Sequence, residues 1–203
     1  MPDQRIIRPI TTLAGLFALL TLVTADAAAQ TFVNADTLRQ IQSVVPMSGP
    51  PGTRISVNSD NLPIAARVHI AVGMLFAGFE TIGEVAQGQW GDISTSVQIP
   101  ETATWDRPLY IIALDAVFNP MGISAPFHVT DDNGMIRRIG HITDEGEPCL
   151  TLRDDNDLLY ALAGEVGAFR SGDEVVVEGK YSGASSCRDG STIAVAHIVA
   201  RGP

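Results

Sequence analysis

From Arg54 to Val199, apolar and polar residues alternate in short runs punctuated by Gly, Pro, Asn and Asp. Arg54–Asn58 and Arg67–Val72 carry the two-residue period of a half-buried strand. Thr81–Ala86 and Ile93–Ile99 are rich in β-formers, with Gly88 and Gly91 between them. Leu109–Leu114 follows Pro108, and Phe127–Thr130 follows Pro126. Short, evenly spaced strands of this kind predict an antiparallel sandwich. The polar turn Asp131-Asp132-Asn133-Gly134 interrupts the pattern, which then restarts. Strands are predicted over Met135–Ile142, Cys149–Arg153, Leu158–Leu162, Glu174–Tyr181 and Ser191–Val199, with one helical turn at Glu165–Phe169. A short helical pattern, Ala35–Ile41, precedes the first strand.

Residues 1–29 follow a different rule. Arg5 and Arg8 lead into the apolar stretch Leu13–Val23, and a small-residue run ends in an Ala-x-Ala pattern at Ala29. This is the layout of an export signal, and its apolar core falls short of the roughly 20 residues that span a bilayer. The expected mature chain starts at Gln30, with a lead-in over 30–43, and is periplasmic or secreted. It has no apolar run of membrane length, because Gly73 and Gly78 interrupt the longest, Ile70–Phe79. An oxidising compartment makes the two cysteines, Cys149 and Cys187, a disulfide pair.

Charge narrows the partners. With 13 Lys+Arg against 23 Asp+Glu the formal net charge is -10. Nucleic-acid binding relies on cations that displace phosphate counterions, and anionic lipid attracts basic segments. Both are disfavoured here. The acidic turns Asp131–Gly134 and Asp154–Asp157 lack the Gly and Glu spacing of a calcium loop and read as hairpin or linker turns. His69, His128, His141 and His197 are scattered in strands, as partly buried residues rather than metal ligands. No Gly-x-Ser-x-Gly elbow and no phosphate loop occurs. Asp144/Glu145 and Asp173/Glu174 read as solvated edges. No catalytic, cofactor-binding or metal-binding residue is assigned, and the protein is expected not to be an enzyme. Met74–Phe79 is expected to pack into the core, and Trp90 and Trp105 lie near turns as ligand anchors or sandwich caps.

The run Val45-Pro46-Met47-Ser48-Gly49-Pro50-Pro51-Gly52-Thr53-Arg54-Ile55-Ser56-Val57 resembles the opening of immunoglobulin-like IPT/TIG domains. Val97–Pro100 and Ala125–Thr130 look like that family's later strands, although Asn58–Asn61 stands where a glycine is common. The resemblance implies a binding or spacer module over 44–131. Gly140–Gly146, Cys149–Arg153, Leu159–Gly164, Gly172–Gly179, Ser186–Cys187 and Ser191–Val195 resemble a bacterial exported domain family of unknown function. That resemblance implies a small β-barrel over 135–203 with paired cysteines. The expected fold is all-β, an immunoglobulin-like sandwich followed by a small OB-like five-stranded barrel. In an OB barrel the second and third strands form the ligand face, which here would present Thr151, Arg153, Leu158 and Tyr160. The resulting reading is a non-enzymatic binding or interaction protein of the bacterial envelope, with an unidentified protein or carbohydrate partner. The alternatives are an enzyme with a site between the domains and a carbohydrate-binding accessory module.

Overall fold

Alternation along Arg54–Ser59 buries Ile55, Val57 and Ser59 and leaves Arg54 and Ser56 in solvent, as a strand with one wet face requires. The same rule builds the computed structural model, which describes residues 38–74, 78–146, 148–185, 187 and 191–202. Among them there are strands and turns but no helix. The first ten strands are β1 (Arg39–Gln40), β2 (Ser43–Val45), β3 (Ser48–Gly49), β4 (Arg54–Ser59), β5 (Val68–Gly73), β6 (Phe79–Val85), β7 (Ile93–Gln98), β8 (Pro108–Leu114), β9 (Pro120–Ile123) and β10 (Phe127–Val129).

These strands form a sandwich. One sheet is antiparallel β2-β4-β7. The other is centred on β6-β5-β8, with β9 and β10 pairing to successive parts of the far edge of β8. Two short parallel additions complete it, β1 on β9 and β3 on β10. The chain changes sheet between β2 and β3, at the cis Val45–Pro46 peptide. Ile55, Val57, Ile70, Val97, Ile111 and Phe127 fill the space between the sheets.

The remaining strands close a barrel: β11 (Met135–Thr143), β12 (Thr151–Asp154), β13 (Leu159–Ala163), β14 (Glu174–Ser182) and β15 (Ser191–Ala200). The ring runs β11-β12-β13-β15-β14. Only β13 and β15 pair in parallel. Closure removes exposed edges, and a bulge at Glu178/Gly179 bends β14 against β15. Gly179 is required there, since a Cβ would collide with the Ala194 carbonyl. Ile136, Ile142, Leu152, Val175, Val177 and Ile193 form the interior. The disulfide Cys149–Cys187, with Cα atoms 6.0 Å apart, ties the approach to β12 to the segment before β15.

The fold is therefore all-β, a sandwich followed by a small five-stranded barrel. Four strands are absent from the sequence expectation: β1, β2, β3 and β9, each of two to four residues. The helical turn at Glu165–Phe169 does not form, because Gly164 just before it and Gly167 within it take positive-φ conformations (φ 105° and 63°). Of the helical pattern Ala35–Ile41, residues 35–37 lie outside the described residues. Arg39 and Gln40 are strand instead, where Ile41 donates its amide to Ile123 O (2.8 Å) and buries its side chain. The export signal also lies outside the described residues. Among the described residues no helix is long and apolar enough to cross a membrane.

The disulfide closes a loop of sequence separation 38, which constrains the unfolded barrel by about 4 kcal/mol in the chain-entropy limit. The double variant Cys149→Ala/Cys187→Ala is expected to lose about 2–4 kcal/mol in a urea titration. A loss below about 1 kcal/mol would show that the staple does not constrain the barrel.

Candidate functional site

Two hairpin loops and the turn that links sandwich to barrel are built the same way. In each, an Asp accepts two backbone amides through Oδ1 and donates its own amide four residues on, and the fourth residue is left-handed. At the linker, Asp131 Oδ1 accepts from Asn133 N (2.9 Å) and Met135 N (2.8 Å), and Gly134 has φ 76°. Between β12 and β13, Asp154 Oδ1 accepts from Asn156 N (2.9 Å) and Leu158 N (2.8 Å), with Asp157 at φ 64°. Between β8 and β9, Asp115 Oδ1 accepts from Val117 N (2.9 Å) and Asn119 N (2.8 Å), with Phe118 at φ 65°. The bond from the Met135 amide leads in holding the Asp131 carboxyl below its usual range. The connection from sandwich to barrel is thus a defined turn, not a loose linker.

That turn delivers Arg138 into the junction. On β11 the inward positions are Ile136, Arg138, Gly140 and Ile142, so the guanidinium occupies a core position and is wholly buried. A buried charge is tolerated only when its donors are satisfied. Arg138 Nη1 donates to the carbonyls of Trp105 (2.9 Å) and Arg137 (2.7 Å), and Nε donates to Tyr160 Oη (3.0 Å). Nη2 lies 3.0 Å from His128 Nδ1. Arginine can only donate, so His128 is neutral with its proton on Nε2. The Asp154 carboxylate, fully buried, stands 3.8 Å from Arg138 Nε.

His128 is the sandwich's contribution. It projects from β10 between barrel aromatics, stacked on Tyr181 (ring centroids 3.9 Å apart, 28° between planes) and edge-on to Tyr160 (5.7 Å, 75°). Burial first, then the Arg138 charge, pushes its pKa from 6.5 down to about 3. Burial also raises the Asp154 carboxyl and the Tyr160 phenol above their ordinary ranges.

The opposite end of the sandwich is different in kind. Strands β4, β6 and β8 all run toward it, so the β4–β5, β6–β7 and β8–β9 loops meet there. Leu62 N donates to Gly91 O (3.2 Å), Ala65 N to Gln87 Oε1 (2.7 Å), and Gln87 Nε2 to Pro63 O (2.9 Å). Gly91 is left-handed (φ 85°), and a Cβ there would strike the Leu62 carbonyl. On this braced base four large apolar side chains stand in solvent: Ile64 (69% exposed), Trp90 (77%), Val117 (73%) and Phe118 (48%). Ile64 and Val117 line one depression of about 340 Å³, and Ile64 and Trp90 line another of about 390 Å³. Phe118 stacks on His69 (4.7 Å, 13°).

The residues expected to form a barrel ligand face do not come together. Thr151 and Tyr160 are buried, Thr151 donating to Thr143 O (3.0 Å) and Tyr160 bonding Arg138. Arg153 is held by Glu145 and by Asp157 (2.7 Å). Leu158 faces a cavity beside the sandwich. Trp105 is half-buried at the junction, and Trp90 lies at the far loop end. The histidines also divide. His128 is fully buried, while His141 and His197 are exposed rather than partly buried. Of the Met74–Phe79 run, Leu75–Ala77 lie outside the described residues, and Phe79 is exposed rather than core. Among the described residues no group of three His, Cys, Asp or Glu side chains could hold a metal ion. Arg138 escapes a reading by residue type, yet its even spacing from Ile136 and Ile142 marks it as inward-facing. No protein-family model matches the chain, and no curated protein matches it.

Removing the guanidinium strands a buried carboxylate. Arg138→Leu is therefore expected to cost about 3–5 kcal/mol in urea unfolding. The histidine adds a pH dependence. The unfolded imidazole titrates near 6.5 and the folded one near 3, so the unfolded chain binds the extra proton. Stability then falls as pH drops from about 6.5 toward about 3. Asp154 shifts in the opposite sense, so the comparison of wild type with His128→Gln isolates the imidazole. The wild type is expected to lose about 3 kcal/mol more than the variant between pH 7 and pH 4. Parallel losses would contradict a neutral, buried His128.

Proposed function

We propose that the protein is an exported binding module of a bacterial envelope, with the loop end of its sandwich as the binding surface. The observation that carries this reading is the cluster Ile64, Trp90, Val117 and Phe118. Exposed apolar residues scattered singly are ordinary, but a group on adjoining loops marks an interaction site. Phe118 adds a specific argument. A bulky residue in the left-handed region costs on the order of 1 kcal/mol, and glycine would occupy φ 65° without strain. Retaining phenylalanine there favours a role for the exposed ring.

The order of strands in the sandwich supports an immunoglobulin-like, IPT/TIG-type relation, and the barrel ring supports an OB-like one. Export to the periplasm or beyond is supported by the Arg5/Arg8 and Leu13–Val23 signature, and the disulfide is compatible with an oxidising compartment. In this reading the barrel is a rigid base and the chain does no chemistry. Its partner is a protein or a carbohydrate that covers apolar loops.

A photo-crosslinking amino acid placed at Trp90, with a control at the exposed barrel position Glu165, tests the surface in intact cells. Discrete adducts are expected from position 90 and not from 165. Phe118→Gly is expected to remove them while keeping stability within about 1 kcal/mol of wild type. Equal labelling at both positions, or adducts indifferent to Phe118→Gly, would refute the proposed surface.

A further inference from the structure

The two depressions at the loop end, of about 390 and 340 Å³, adjoin along Pro63 and Ile64. Each is within the size range of small-molecule sites. The larger one is mixed in chemistry. Trp90 gives it a flat aromatic wall, and Arg39, Asn61 and Gln89 place planar hydrogen-bonding groups beside that wall.

These polar groups are not spent on holding the fold. Among the described residues the Arg39 guanidinium, the Gln89 amide and the Trp90 indole have no hydrogen-bond or ion-pair partner. Asn61 uses only its Oδ1, which accepts from Ser59 Oγ (3.2 Å). Their neighbours differ. Gln87 bonds Ala65 N (2.7 Å) and Pro63 O (2.9 Å), and Asp60 accepts from Gln42. The backbone under the depression is fixed as well. Arg39 pairs with Gly122 of β9, and Gly91, next to Trp90, accepts from Leu62 N (3.2 Å). A ring and donors set on such a base cost a ligand little in ordering.

A ligand that covers this wall needs an apolar face for the indole and a rim that both donates and accepts. A pyranose with equatorial hydroxyls has both. Its two faces carry only C–H groups, and its hydroxyls leave the rim in vicinal pairs that fit the fork of a guanidinium or a carboxamide. An apolar protein segment would match the ring but would desolvate a guanidinium and two amides without pairing them.

Charge then selects the kind of sugar. Arg39 is the cation of the larger depression, whereas Asp115 lines the smaller one, on a chain of formal net charge -10. A polyanionic glycan would gain at one depression and be repelled at the next, and a neutral chain avoids that conflict. We propose that the loop end binds a neutral glycan of glucose-configured pyranoses. One ring stacks on Trp90 and bonds Arg39, Asn61 and Gln89, and the chain continues past Ile64 into the second depression. The assignment rests on the loop-end surface proposed above and narrows its partner to a carbohydrate.

Calorimetry on the full chain with cellohexaose, maltohexaose, glucose and an oligoglucuronate tests it. At least one of the two neutral hexasaccharides is expected to bind with a dissociation constant in the millimolar range or below, about tenfold or more tighter than glucose and than the oligoglucuronate. Trp90→Ala is expected to weaken that hexasaccharide about tenfold, and Arg39→Ala and Gln89→Ala about threefold each. Arg54→Ala, at the other end of β4, is expected to leave it unchanged. Three results would each overturn the inference: neither neutral hexasaccharide bound at about 10 mM, the oligoglucuronate bound as well as they are, or Trp90→Ala without effect. Protein adducts from a crosslinker at position 90 without glycan binding would overturn this inference alone. Failure of both adducts and glycan binding would remove the loop-end surface itself.

Discussion

A guanidinium without access to water must find all its partners inside the protein, and Arg138 finds them on both sides of one boundary. The Trp105 carbonyl and His128 Nδ1 belong to the sandwich; Tyr160, Asp154 and the Arg137 carbonyl belong to the barrel. Neither side alone could satisfy the charge. Separating them would take from Arg138 the Trp105 carbonyl and the His128 Nδ1, leaving the cation and the imidazole short of partners. Lysine could not substitute, because the planar fork of arginine bonds in several fixed directions at once. The barrel and the sandwich are thereby made one body, and the Asp131 turn sets the direction in which β11 leaves it.

Rigidity at one end gives meaning to exposure at the other. Loops that only connect strands can drift, but at the far end the β4–β5 and β6–β7 loops are bonded to one another, and the β8–β9 loop is fixed by its own Asp115 carboxylate. A partner meeting Trp90 and Phe118 therefore meets a preorganised surface, which reduces the ordering cost of association. The two regions also divide the chemistry. Apolar side chains stand outward at the loop end, while polar and charged groups converge inward at the junction.

Much of the fold was legible because it follows from a period of two. Ile55/Val57 and Val175/Val177 alternate with solvated neighbours, and Gly, Pro and Asp mark where each run stops. Strands β1, β2, β3 and β9 were not legible. Runs of two to four residues have too few alternations to register, and their pairing is decided by distant strands. The helical turn at Glu165–Phe169 failed on the handedness of Gly164 and Gly167, which residue type alone does not reveal. For the sites, Cys149 and Cys187 could be paired from compartment logic. Thr151 and Tyr160 could not be placed, since a barrel strand buries one face, and which face depends on register. Arg138 was hidden because charge suggests the surface, and His128, expected to be partly buried in a strand, meets it only through the way sandwich and barrel join. Trp90 could be singled out, but its neighbours Ile64, Val117 and Phe118 come from loops that only the sheet topology brings together.

The buried Arg138 network makes sandwich and barrel tumble as a unit. Backbone ¹⁵N relaxation at neutral pH measures this directly. Amides in the sandwich core, such as Ile55 and Ile111, and in the barrel core, such as Val177 and Ile193, should report a single overall rotational correlation time. Two distinct times, one for each group, would show that the network does not hold the two together.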